Sequence, residues 1–259
     1  MQQSIKDFSM DYFSLKGKVA IITGGNTNLG MAYAVGFAKA GADIYIPHFL
    51  PDVSEVKAAV EAEGRRIEFL QGDLTEAAYR KKVVEDCLAK YGKIDILVNN
   101  AGMGIFAPFE EYKDEDYAKV IELMLNAAYY LGREVGLIMK KQGGGKIINI
   151  GSALSFTADG GCPSYVIAKH GIIGVTRDFA NELGKYNVQC NALCPGFFKS
   201  EVNAGVPKEI VERVSAQLPG GQWGEFGQVI GTAVYLASKA SDYVNGWMVN
   251  VDGGFSAVI

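Results

Sequence analysis

Short runs of β-branched and apolar residues alternate along this chain with longer segments of helical periodicity. Lys18 to Thr23 (KVAIIT) reads as a strand entering a glycine-bearing turn, and Leu29 to Ala40 follows as a helix. Asp43 to Pro47 and Arg66 to Gln71 are the next strands, with a helix over Val53 to Glu63 between them. The alternation continues through a helix at Ala77 to Tyr91, a strand at Ile94 to Asn99, one long helix over Asp114 to Lys141 and a strand at Lys146 to Ile150. Ser164 to Leu183 is helical, Asn187 to Ala192 is a strand, Pro207 to Gln217 and Gly227 to Ser238 are helices, and Met248 to Val251 is the last strand. Seven such strands joined mainly by amphipathic helices predict an α/β fold: a doubly wound, seven-stranded parallel sheet with helices on both faces and its ligand site at the strand carboxyl ends. No repeat or linker divides the chain. Residues 17–259 read as one domain, and residues 1–16 as an arm with Phe8, Tyr12 and Phe13 available for packing.

Composition narrows the classes of function. Hydrophobic residues make up 49% and charged residues 21% of the 259, as in a chain with a large core. The net charge of −4 gives no footprint for nucleic acid, which is bound by clustered Lys and Arg. No apolar run reaches the roughly 18–20 residues of a membrane span, and the opening MQQSIKDFSMDYF lacks a basic stretch followed by an apolar one. The expected location is cytoplasmic, with a small molecule as partner and neither membrane nor nucleic acid. Cys87, Cys162, Cys190 and Cys194 form no CxxC pair and lack the partners of a metal site. They read as free thiols, Cys87 in a helix and the others at strand ends or in loops.

Between the first strand and first helix lies Thr23-Gly24-Gly25-Asn26-Thr27-Asn28-Leu29-Gly30, where backbone amides and a helix N-terminus can receive a pyrophosphate. This turn resembles the TGxxxGxG signature of the short-chain dehydrogenase/reductase family, with Asn28 in the place of the middle glycine. Asparagine tolerates positive φ better than most residues, so the turn is expected to survive. The resemblance implies a Rossmann-type fold and a nicotinamide dinucleotide held by Gly24, Asn26, Thr27, Asn28, Leu29 and Gly30. It further implies that Asp73 and Leu74 meet the adenine and that Asn100, Ala101 and Gly102, from Asn99-Asn100-Ala101-Gly102, lie along the cofactor. At the end of the second strand, where a carboxylate would mark NAD and a basic residue NADP, stands His48, and Thr27 offers no basic group. NAD(H) is expected over NADP(H), unless His48 simply faces solvent.

Tyr165-Val166-Ile167-Ala168-Lys169 is a YxxxK pair whose spacing puts both side chains on one helix face. Ser152, upstream at the end of KIINI, matches the family's Ser-to-Tyr spacing. Taking hydride from a carbinol carbon requires removal of the hydroxyl proton. Tyrosine is the base only if its pKa falls from about 10 towards 7, worth roughly 4 kcal/mol. A nearby Lys169 ammonium and a positive nicotinamide would supply that shift, Lys169 would also hold the nicotinamide ribose, and Ser152 would steady the substrate oxygen. The segment Pro195-Gly196-Phe197-Phe198-Lys199-Ser200 resembles the family's PGxxxT, which implies cofactor contacts from Pro195, Gly196, Phe198 and Ser200 and a substrate flap near 198–218. Met124 aligns with the family's fourth active-site residue, an asparagine, and Asn126 lies about 200° further round the helix. Catalysis is therefore expected to be slower, to use a different water path or to be absent, and the alternative to an enzyme is a cofactor-binding protein with reduced or lost catalysis.

GGKIINI, SALSF, PSY, ASDYVNG and VDGG are similar to the subgroup of 2-keto-3-deoxygluconate dehydrogenases and related sugar-acid reductases. That similarity implies a secondary alcohol and ketone on a sugar or sugar acid. The loop after Gly102 (MGIFAPF) carries no arginine for a carboxylate, which leaves a steroid or other cyclic ketone as the alternative. The family resemblance also implies a homotetramer packed through residues 114–141 and 164–183.

Overall fold

The computed structural model describes residues 2–199 and 208–257. Its strands are β1 (Val19–Ile22), β2 (Asp43–His48), β3 (Ile67–Gln71), β4 (Ile96–Asn99), β5 (Gly145–Ile150), β6 (Val188–Pro195) and β7 (Met248–Val251). They form one parallel sheet of seven in the order β3-β2-β1-β4-β5-β6-β7. The helices are α1 (Gln3–Lys6), α2 (Asn28–Lys39), α3 (Ser54–Ala62), α4 (Ala77–Tyr91), α5 (Asp114–Ile121), α6 (Ala127–Gln142), α7 (Pro163–Leu183), α8 (Lys208–Gln217) and α9 (Gly227–Ala237).

Side-chain alternation along the strands builds two cores. In β1, Ala20 and Ile22 pack with Phe37 of α2, Val56 of α3 and Val229 of α9 on one face. Val19 and Ile21 pack with Val83 of α4, Leu131 of α6 and Phe179 of α7 on the other. This period of two explains why the central strands read as continuous apolar runs: both faces are covered. The second core contains one polar seam. Asn99 Nδ2 donates to Asn149 Oδ1 at 2.8 Å and Asn149 Nδ2 to Thr176 Oγ1 at 2.9 Å. Every partner is buried, and the seam ties the ends of β4 and β5 to α7.

The long helix expected over 114–141 is interrupted. A π-helical turn, Glu122–Asn126, separates α5 from α6. Such a turn hides from periodicity because its apolar positions still fall on one stripe. Cys190 and Cys194 lie within β6, which runs to Pro195 rather than ending at Ala192, and all four cysteines are free and buried. The N-terminal segment meets the body where Leu15, fully buried, donates its N–H to Ala40 O at 2.8 Å. Just before it, Phe13 packs on Tyr235 of α9 and Lys239 lies over the Tyr12 ring. Among the described residues, no helix is long and apolar enough to cross a membrane.

Candidate active site

The sheet order reverses direction between β1 and β4, and a cleft of about 820 Å³ opens at the carboxyl ends there. Gly24 (φ +62°) and Asn28 (φ +47°) both take the left-handed conformation, so Asn28 serves the middle-glycine position. At Gly30 a Cβ would stand 2.3 Å from the Gly24 carbonyl oxygen, so only glycine lets helix and turn approach this closely. Thr27 precedes α2 in an extended conformation and its side chain makes no capping bond. The first amides of α2 are thereby left to an outside acceptor such as a phosphate.

Thr23, which carried no assigned role in the sequence reading, fastens this turn to the end of β4. Its hydroxyl accepts N–H bonds from Asn100 and Ala101, each at 2.9 Å, and donates to Val98 O at 3.3 Å. Asn100 Nδ2 in return donates to the carbonyls of Thr23 and Gly24 at 3.0 and 3.3 Å. Asn26 reaches sideways, donating to Leu50 O and Asp52 O at 3.1 and 2.9 Å. Asp73 is fixed through Oδ1, which accepts from the Thr75 N–H and hydroxyl at 2.8 Å. Leu29, Asp73, Leu74, Ala101 and Gly102 all line the cleft. A close-approach glycine, an uncapped helix start and a fixed carboxylate across the cleft together fit a dinucleotide.

His48 does not face solvent. It is buried, lies edge-on to Phe69 and places Nδ1 2.8 Å from Leu50 O. A carbonyl only accepts, so Nδ1 carries the proton and a neutral ring presents Nε2 as an acceptor.

At the other end of the cleft stand Ser152, Tyr165 and Lys169. Ser152 follows β5 and caps a 3-10 turn, its Oγ accepting from Leu154 N–H at 3.1 Å. Pro163, in the first turn of α7, fixes the start of the helix that carries Tyr165 and Lys169. Lys169 Nζ donates to Ile150 O at 2.6 Å and lies 5.5 Å from the Tyr165 ring centroid. Burial pushes the Lys169 ammonium down to about 8. It also pushes the Tyr165 phenol above its ordinary value, against a downward pull from the Ser152 hydroxyl. The expected lowering of Tyr165 by Lys169 is thus not met by the chain alone: desolvation dominates both groups.

Met124 is buried in an apolar cluster with Val120 and Ala168, against which Tyr165 packs. Its Cε would stand 3.1 Å from a Cβ on Gly102. Asn126 donates to Glu122 Oε2 at 2.7 Å and does not replace the missing amide. Pro195 and Gly196 line the cleft, whereas the Phe198 side chain is buried beside Phe226 and is not among the lining residues. Of the flap expected near 198–218, residues 200–207, Ser200 among them, lie outside the described residues. Lys119 and Leu123 of the wall were missed by the sequence reading, since helical periodicity marks neither as a binding residue.

A family model described as short chain dehydrogenase matches residues 18–210. The chain belongs to the short-chain dehydrogenase family. Uncharacterized oxidoreductase YgcW of Escherichia coli (strain K12) is 41% identical over 255 residues, covering 98% of both chains. A 2-dehydro-3-deoxy-D-gluconate 5-dehydrogenase of Dickeya dadantii (strain 3937) is 40% identical over 96% of this chain and 99% of its own. The solved structure of a gluconate 5-dehydrogenase from Burkholderia cenocepacia J2315, in complex with NADP and tartrate, is similar with a TM-score of 0.91 at 32% identity, covering 96% of this chain and 99% of that one. This short-chain dehydrogenase is an NAD(P)-dependent oxidoreductase acting on a CH–OH group.

The depressed Lys169 pKa makes a stability prediction. Below pH 8 the folded state holds a buried ammonium whose unfolded pKa is near 10.5, and this cost is relieved as pH rises from 8 to 10.5. Relative to wild type, the stability of Lys169→Met should therefore fall across that window, by up to roughly 3 kcal/mol. Urea unfolding of both proteins at several pH values measures it, and a difference that stays flat from pH 7 to 10 would contradict the burial argument.

Proposed function

We propose that this short-chain dehydrogenase interconverts a secondary alcohol and a ketone on a sugar acid, with Tyr165 exchanging the proton. The convergence of Ser152, Tyr165 and Lys169 at one end of a dinucleotide-sized cleft carries this reading. The sugar-acid names of the relatives support its substrate class. The bound nicotinamide cofactor supplies the hydride in reduction and accepts it in oxidation. In reduction the protonated Tyr165 hydroxyl donates to the carbonyl oxygen while the Ser152 hydroxyl donates a hydrogen bond to the same atom. Lys169, held on Ile150 O, sits behind Tyr165 and favours the phenolate that results. In oxidation the steps reverse. Tyr165→Phe should lower kcat for keto sugar acids by roughly 10²–10⁴-fold, measured as nicotinamide absorbance. Unchanged turnover in that variant would remove Tyr165 from the mechanism.

We further propose NAD(H) as the preferred cofactor. With Nδ1 of His48 committed to Leu50 O, neutral Nε2 can accept from a ribose 2′-hydroxyl, whereas a 2′-phosphate offers no proton and calls for a donor. The kcat/KM for NADH should exceed that for NADPH, and His48→Arg should reverse the order. A wild-type preference for NADPH at pH 8 would defeat this assignment.

The homotetramer is likewise our proposal. It is supported by Leu137 of α6 and Ile167 of α7, which are 49% and 46% exposed on the helices expected to pair, as is Tyr130 of α6 at 39%. Sedimentation should give four times the chain mass of 27.9 kDa; a monomer at micromolar concentration would refute it.

A further inference from the structure

After β4 the chain runs from Ala101 to Pro108 without regular structure, yet it supplies part of the cleft wall through Met103 and Gly104. Burial does little to hold this loop, since Phe106 and Phe109 are 75% and 84% exposed. Ile105 packs inward, on the same cluster of Met124, Val120 and Ala168 against which Tyr165 packs. Two polar clips tie the loop to the segment that leads into Tyr165. The first is Ala107 N–H donating to Gly161 O at 3.0 Å.

The second clip passes through Tyr112, which follows a 3-10 turn at Phe109–Glu111 and stands just ahead of α5. Its hydroxyl lies 2.5 Å from Ser164 Oγ and 3.3 Å from Ile105 O. A carbonyl only accepts, so the single phenolic proton goes to Ile105 O and the Ser164 hydroxyl donates to the Tyr112 oxygen. The bonds therefore run one way, from Ser164 to Tyr112 to Ile105, and each polarises the next. Ser164 is fully buried in the first turn of α7, adjacent in the chain to Tyr165. Among the described residues its hydroxyl has no other partner, and a buried hydroxyl left unpaired is costly, so the loop and α7 are held by one phenol.

We infer that Tyr112 is a positioning residue for the substrate, its phenol fixing the wall formed by Met103 and Gly104 relative to Tyr165. This inference rests on the reading of Tyr165 as the proton-exchanging group and adds what holds the substrate against it. Tyr112 is not among the residues lining the cleft. It acts through Ile105 on the loop side and through Ser164 on the helix side. A wall that loosens weakens substrate binding alike in the ground and transition states, which raises KM and spares kcat.

Tyr112→Phe removes both bonds and keeps the ring. With the ketone that wild type reduces fastest, this variant should raise KM roughly fivefold or more and leave kcat within about twofold. The Kd of NADH, measured by calorimetry, should not change. Ser164→Ala breaks the same connection at its other end and should reproduce the pattern, which keeps the test decisive if urea unfolding shows Tyr112→Phe to be poorly folded. The double variant should be no worse than either single one, because both remove one shared link. An unchanged KM in a folded single variant, effects that multiply in the double variant, or a kcat or NADH Kd that worsens as much as KM would make the bond a structural tie and overturn this inference alone. A wild-type protein that reduces no ketone would overturn both this inference and the reading of Tyr165.

Discussion

Everything the cleft does depends on the bond network by which Thr23 and Asn100 hold two diverging strands together. β1 and β4 are neighbours in the sheet, but their outgoing chains leave toward opposite sides. A hydroxyl that accepts two amides and an amide that donates to two carbonyls close the gap between them. Unpaired, these backbone groups would be partly buried polar atoms at a cost of about 1–3 kcal/mol each. Paired, they fix the glycine turn against the strand end, so the exposed amides of α2 and the small residues Ala101 and Gly102 face one another across a gap of set width. Gly30 completes the arrangement, because any side chain there would displace the Gly24 carbonyl.

At the reacting end the controlling influence is dryness. Ile150 O binds the Lys169 ammonium, while Ala168, Met124 and Val120 keep water from the tyrosine side. Burial moves Lys169 down and Tyr165 up, which favours the neutral form of each. The chain by itself therefore does not activate the phenol. A positive charge arriving with the cofactor would supply what the chain alone lacks and would couple base formation to a loaded site.

The fold was legible because each covered strand appears as an apolar run and each helix as a stripe, and the turn and YxxxK residues mark the two ends of the cleft. Asn28 at positive φ follows from asparagine's own conformational tolerance. The π-helical turn at Glu122–Asn126 was not legible, since a shift from four- to five-residue bonding leaves the apolar stripe intact. The burial of His48 and the inward packing of Phe198 depend on tertiary neighbours, Phe69 and Phe226, that local pattern does not reveal. How far burial raises Tyr165 in the chain alone was not legible for a related reason: spacing identifies a lysine neighbour but says nothing about how much water the fold removes.

Met124 then reads as part of the electrostatic design rather than only as a missing amide. An asparagine at that position would bring a dipole and a hydrogen-bonding surface beside Tyr165; the thioether brings neither. It belongs to the apolar cluster against which Tyr165 packs, and burial raises that phenol. A protonated phenol is the acid that ketone reduction needs, whereas alcohol oxidation must first remove that proton. Because the same Ser152, Tyr165 and Lys169 serve both directions, the thioether changes how dry their surroundings are and leaves the direction of reaction to the supply of substrate and cofactor.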